Sequence, residues 1–185
     1  AALPVPHTLH SKFKECGKME NQKIVTIAIT GHRPGKLPCG YAYLPEQSVW
    51  AKRFYGRMVN GLMKFSAKYG HIRVLSGMAL GVDQLFALAA LEANKQGADL
   101  ELTSCVPCHN YSVKWRYENK RTYDAILKEA DSVEYVVDGE YTADCLELRN
   151  RYMVDRANLL LAVWDGSRSG TANCVRYALR LSLSA

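Results

Sequence analysis

The stretch from Ile72 to Ala93 reads IRVLSGMALGVDQLFALAALEA, and its pattern decides the fold. Ile72-Arg73-Val74-Leu75 is a short β-type run that breaks at Ser76-Gly77; beyond Gly81, Leu85, Phe86, Leu88, Ala89 and Leu91 are apolar with Glu92 polar, the composition of a buried helix. Strand, glycine turn and buried helix is the unit of a parallel α/β sheet. Gly77 and Gly81 tolerate positive φ and close approach to the backbone, and the first amides of the helix have no internal partners, so an anion can sit at this turn. A glycine pair serves a plain packing turn equally well, and the rest of the chain has to decide between the two.

Working outward, Ile24 to Thr30 (IVTIAIT) is β-branched and apolar on both faces, a central strand covered by helices on each side. It runs into Gly31-His32-Arg33-Pro34-Gly35, where proline forbids helix and glycine allows an irregular loop. From Glu46 to Tyr69 the apolar residues Val49, Trp50, Phe54, Met58, Leu62 and Phe65 recur at helical spacing, and Gly70 supplies a stop. Further strands are predicted at Asp99–Val106, Ser132–Val137 and Asn158–Trp164, the last apolar throughout. Further helices are predicted at Tyr117–Ala130, from an Asp144 cap to Arg156, and at Ala172–Leu183.

Strands alternating with helices predict a Rossmann-like, three-layer α/β/α domain with a mostly parallel sheet of about five strands. Ligands of such sheets bind beyond the carboxyl ends of the strands. The loops at 30–35, 76–83, 107–119 and 164–171 all emerge at that end, an argument stronger than any one motif.

The chain has 185 residues, is 48% hydrophobic and 23% charged, and carries a formal charge of +6, which bounds it to one domain and favours an anionic partner. No apolar run approaches the roughly 18 to 20 residues of a membrane span, and a cytoplasmic protein is expected. Residues 1–22 read as a loose arm or upstream extension outside the domain at 23–185, with Met19 a natural start. The six cysteines are scattered and read as thiols. Cys105 and Cys108 have redox or metal spacing but lack a second ligand pair, so no metal site is expected.

The residues also resemble a known family. Thr30-Gly31-His32-Arg33-Pro34, Ser76-Gly77-Met78-Ala79-Leu80-Gly81-Val82-Asp83, Arg149-Asn150-Arg151-Tyr152-Met153-Val154-Asp155, and Trp164-Asp165-Gly166 with Ser169-Gly170-Thr171 look like successive motifs of the YpsA/YoqJ-like branch of the SLOG superfamily, from about Ile24 to Leu181. The resemblance implies a sheet that binds nucleotides or nucleotide-derived ligands. Relatives include cytokinin-activating phosphoribohydrolases, the DNA-processing protein that loads recombinase on single strands, and sensors of ADP-ribose-type signals in antiphage defence. It also implies a possible homo-oligomer. In the phosphoribohydrolases a glutamate follows the last glycine turn; here Cys174 stands in its place and supplies no carboxylate. Asp83 and Asp165 are the nearest replacements.

Within that frame each candidate has two readings. Gly31, Gly77, Gly81, Gly166 and Gly170 give close backbone approach; Ser76, Ser169 and Thr171 can bond phosphate; Arg33 neutralises it. Thr30 and Met78 belong to the same motifs. Asp83 is a ribose ligand or a first-turn helix acid. Trp115 and Trp164 stack a base or are core or rim aromatics. Arg149 and Asn150 bind ligand or pair with Asp144 or Glu147. His32 is an acid–base group or a hydrogen-bonding partner. Three functions stay open. The missing glutamate favours binding of a nucleoside phosphate or ADP-ribose-type signal, as sensor, carrier or sequestering protein in defence or counter-defence, with no cofactor required. The alternative is an N-glycosidic or phosphoester hydrolase. A single-stranded DNA accessory ranks third, because no run of aromatics interleaved with basic residues occurs.

Overall fold

The structure, a computed structural model, describes residues 24–182; the expected arm at 1–22 lies outside them. Five strands and five α-helices alternate: β1 (Val25–Gly31), α1 (Val49–Tyr69), β2 (Ile72–Ser76), α2 (Val82–Lys95), β3 (Leu100–Val106), α3 (Tyr117–Glu129), β4 (Ser132–Tyr135), α4 (Cys145–Arg156), β5 (Leu159–Val163) and α5 (Gly170–Ser182). Contrary to expectation, the loop after β1 holds one 3-10 turn at Pro34–Lys36, because proline at the first position of a turn gives up no internal hydrogen bond. All pairs are parallel in the order β4-β3-β2-β1-β5, with Ile27 of β1 opposite Val74 of β2 and Leu159 of β5.

The order dictates the layers. Right-handed crossovers from β1 through β4 step in one direction and set α1, α2 and α3 on one face; the return to β5 sets α4 and α5 on the other. Alternate side chains of β1 serve the two faces: Ile27 and Ile29 join Val59, Leu62, Val82 and Phe86 in the larger core, whereas Ala28 joins Leu75, Cys105 and Met153 in the smaller. β1 therefore lies between two neighbours reached by connections of opposite direction, and the crevice beyond its carboxyl end is the switch point of the sheet.

Local chemistry sets the ends of the elements. Ser48 caps α1, its Oγ accepting from Ala51 N at 3.1 Å, and Gly70 ends the helix at φ 74°. Ser169 caps α5 in the same way, accepting from Ala172 N at 3.2 Å, so α5 starts two residues before the predicted Ala172. Val49, expected inward, is exposed in the first turn of α1. Asp144 precedes α4 as predicted, but its side chain makes no capping bond.

The one departure that matters for architecture is β5. Its apolar run predicts cover on both faces, yet among the described residues it is an edge strand that pairs with β1 alone, and it stays partly exposed. A one-dimensional pattern reports how apolar a strand is and not whether a neighbour exists to cover it. Among the described residues no helix is long and apolar enough to cross a membrane.

Candidate functional site

A cleft of about 240 Å³ opens at the switch point. Thr30, Gly31, His32, Arg33, Gly35 and Lys36 line it from β1 and the following loop, Ala79 and Asp83 from the β2–α2 turn. Leu146, Arg149 and Asn150 enter from α4, and Ser169, Gly170 and Thr171 from the start of α5. A hollow of about 190 Å³ between α4 and α5 shares Leu146, Asn150 and Gly170 with it and extends it past Cys174.

The floor is a buried ion pair. Arg149 Nη1 lies 3.1 Å from Asp83 Oδ2, and both residues are 4% exposed. Asp83 Oδ2 also accepts from Ala79 N at 3.3 Å, while Ser76 Oγ donates to the Asp83 carbonyl at 2.8 Å. Burial pushes the Asp83 carboxyl up, against the opposing pull of Arg149. The expected pairing of Arg149 with Asp144 or Glu147 does not form: Glu147 takes Arg151, one helical turn on, and Arg149 reaches 66 residues back to Asp83. Arg149 Nε has no partner although it is buried, and the Tyr111 hydroxyl shares that condition.

Glycine makes this floor possible. A Cβ on Gly77 would sit 1.4 Å from Arg149 Nη1, so the guanidinium occupies the space a side chain would fill. Gly31 makes room for Val82, and Gly81, at φ 99°, for the His32 carbonyl. The close approach these three permit is thus to protein atoms. At Gly170 a Cβ meets nothing within 4 Å, which leaves the amino end of α5 open to the cleft. Met78 adopts φ 60° and is fully buried, with Ser104 donating to its sulfur at 3.4 Å; like Ser76 and Gly77 it does not line the cleft.

The two rim loops are tied together. His32 Nε2 lies 2.8 Å from Asp165 Oδ1, and Lys36 Nζ donates to Ser167 Oγ at 2.6 Å and to the Arg168 carbonyl at 3.3 Å. Hydrogen bonds from Ser167, and then His32, hold the Asp165 carboxyl well below the usual carboxylate range, although its side chain is 56% exposed. The Asp165 amide also lies 3.2 Å from His32 Nε2, so a protonated Nε2 donates to the carboxylate and an unprotonated one accepts from the amide. Arg33 is exposed and has no carboxylate partner among the described residues.

Two expected base platforms lie elsewhere. Trp115 packs edge-on against Tyr111 and Tyr123, with centroids at 5.0 and 5.2 Å. Trp164 donates from Nε1 to the Ser167 carbonyl at 2.7 Å and braces the loop that holds Gly166. Lys36, Ala79 and Leu146 line the cleft and were not singled out by the sequence; for Lys36 the signal was a second cation in the loop after Gly31. Cys105 packs in the smaller core and Cys108, past the end of β3, in the larger, and burial raises their thiols to about 12 and about 11. Among the described residues no group of three His, Cys, Asp or Glu could hold a metal. Cys174, near Thr30, is buried and its thiol is likewise pushed up by burial.

With this geometry in place, the resemblances of the chain gain meaning. Residues 27–180 match the YpsA model, described as the YspA SLOG family. The chain is similar to YoqJ, an uncharacterised SPbeta prophage-derived protein of Bacillus subtilis (strain 168), at 30% identity over 127 residues, 63% of this chain and 74% of that protein. It is similar to a UPF0398 protein of Bacillus cereus (strain B4264) at 26% identity over 146 residues, 78% and 77% of the two chains. Among solved structures, DNA processing protein A from Streptococcus pneumoniae superposes with a TM-score of 0.57 and 18% identity, over 86% of this chain but 48% of that one. DNA processing protein A from Helicobacter pylori, described for its single-stranded DNA binding mode, gives 0.55 and 20% over 85% and 62%. The chain thus spans about half to three-fifths of these two proteins, and the likeness is one of fold.

Proposed function

Because the chain belongs to the YspA SLOG family, we propose that the cleft at the ends of β1 and β5 binds a phosphorylated, nucleotide-derived small molecule by its anionic end. The observation that carries this reading is a lining rich in donors that lack partners: exposed Arg33, the buried Arg149 Nε and the open start of α5 at Gly170 and Thr171, with Lys36 beside them. Unpartnered donors and a helix amino end together select an acceptor-rich anion. At about 240 Å³ the cleft is smaller than the roughly 300–1,000 Å³ of whole-ligand pockets, which suits a phosphate and sugar, with the adjoining hollow along α4 and α5 left for the remainder.

A thermal-shift panel of nucleotides, cyclic nucleotides and ADP-ribose derivatives tests it. At 100-fold excess over Kd a binder stabilises by about 2.7 kcal/mol, roughly 5–11 °C for a domain of this size. A flat panel at millimolar ligand overturns the reading.

Sensing, carriage or sequestration is favoured over turnover, because Cys174 is a buried thiol at the position where the phosphoribohydrolases have glutamate. Nucleoside monophosphates incubated with the protein should release no free base over many turnovers by chromatography; if base appears, Asp83→Asn and Asp165→Asn identify the carboxylate responsible.

A second reading has its own observation. Exposed Tyr41, Tyr117 and Tyr141, with Lys114 and Arg116, lie in or at the end of the connections that follow β1, β3 and β4, all leaving one edge of the sheet. Exposed rings among cations can stack the bases of a single strand. Anisotropy with oligothymidylate separates the two: under the small-ligand reading binding is weak at physiological salt and falls steeply as salt rises. Tight binding that no nucleotide competes assigns the edge to nucleic acid.

A further inference from the structure

Helix α1 concentrates the charge of the chain. Lys52, Arg53, Arg57, Lys64 and Lys68 lie on its 21 residues with no acid among them, where the whole chain has a formal net charge of +6. All five are exposed, and none pairs with a carboxylate among the described residues. At about 100° per residue, Arg53, Arg57, Lys64 and Lys68 fall within an arc of about 60° and make a stripe about 22 Å long. The buried residues Ala51, Val59, Leu62 and Ser66 mark the opposite side, so the stripe is the outward crest of the helix. Arg53 with Arg57, and Lys64 with Lys68, are like charges one turn apart, a spacing that weakens a helix. At that spacing α3 and α4 instead set Lys120 on Asp124 and Arg151 on Glu147. The fold itself gains nothing from the stripe, which fits an anion from outside. Val49, one turn ahead of Arg53, is 69% exposed, and Trp50 beside it is partly buried, so the amino end of α1 shows apolar side chains next to its cations.

We propose that the outer face of α1 docks on an anionic phospholipid surface, its cations against headgroup phosphates and Val49 and Trp50 at the interfacial layer. A helix carrying four or more cations on one face is attracted to anionic lipid, and tryptophan favours the headgroup level. Shape selects a plane over a strand. The crest of an outer helix meets a flat surface along its whole length, whereas single strands are held in grooves with rings free to stack bases. Trp50 and Phe54 stack on each other instead, with centroids 4.9 Å apart. No residue of α1 lines the cleft, and α1 lies in the layer opposite α4 and α5, so this proposal and the proposed function fail separately.

Co-sedimentation of the full chain with phosphatidylcholine vesicles containing about one-third phosphatidylglycerol, at about 0.1 M salt, should show binding that pure phosphatidylcholine does not support and that about 1 M salt removes. Arg57→Glu with Lys64→Glu should weaken it by about 25-fold or more, near fivefold for each cation lost. Both positions are exposed, and circular dichroism should show the fold unchanged. Arg176→Glu with Arg180→Glu makes the same change in net charge on α5, in the other layer, and should alter binding by less than about threefold. A chain that ignores the anionic vesicles overturns the proposal, as does equal weakening by the two double variants, which reduces the effect to net charge. Oligothymidylate and polyglutamate, added at equal anionic charge, cover the other polyanions. If either strips the protein from the vesicles, the stripe serves nucleic acid or acidic protein and the proposal fails; protein that stays on the vesicles supports it.

Discussion

Replacing Asp83 by alanine is expected to cost about 3–5 kcal/mol and to lower Tm by roughly 6–20 °C, because it strands the Arg149 guanidinium in a site that water does not reach. Both partners are 4% exposed, so solvent screens little of the loss. Removing both charges has the opposite logic: Asp83→Leu with Arg149→Met should recover most of the stability, since a buried pair roughly repays its own desolvation. That double variant should keep the fold and still lose ligand, because Arg149 lines the cleft and its buried Nε has no other partner. Calorimetry on the single and double variants decides the matter. If Asp83→Ala costs under about 1 kcal/mol, the ion pair is not the keystone of the floor. Gly77→Ala should resemble the single variant, since its Cβ would displace the same guanidinium.

The second large effect is on binding. Gly170→Asp should abolish binding of the nucleotide that stabilises best in the thermal-shift panel, because it sets a side chain and a negative charge at the amino end of α5. Its fold should survive, for a Cβ there meets nothing within 4 Å. Arg33→Ala should weaken the same ligand by about 10–150-fold, the equivalent of a charge-assisted contact of roughly 1.5–3 kcal/mol. Titration calorimetry beside circular dichroism separates lost contact from lost fold. Unchanged affinity in both variants would move the anion away from α5 and the β1 loop.

The sequence by itself determined the order of elements, the parallel sheet and the edge at which its polar loops gather. Those features follow from local quantities: β-branched runs at 25–31 and 72–76, helical spacing through α1, and glycine or serine at the breaks. It also brought Thr30, Gly31, Arg33, Asp83, Arg149 and Gly170 into one list, and the fold sets them around one cleft.

What the tertiary structure decided is which of these touch each other and which face water. Glu147, two residues from Arg149, lies off its helix face and takes Arg151 one turn on; the buried site between α4 and the β2–α2 turn gave Arg149 the Asp83 carboxylate enclosed with it. Gly77 looked like a ligand-facing glycine until the guanidinium filled its Cβ space. Trp115 went to an aromatic cluster, whereas Tyr41, Tyr117 and Tyr141, far apart in the chain, came to one edge. The apolar run of β5 promised cover that an edge position withholds, since strand order is set by the crossovers and no single strand encodes its neighbours.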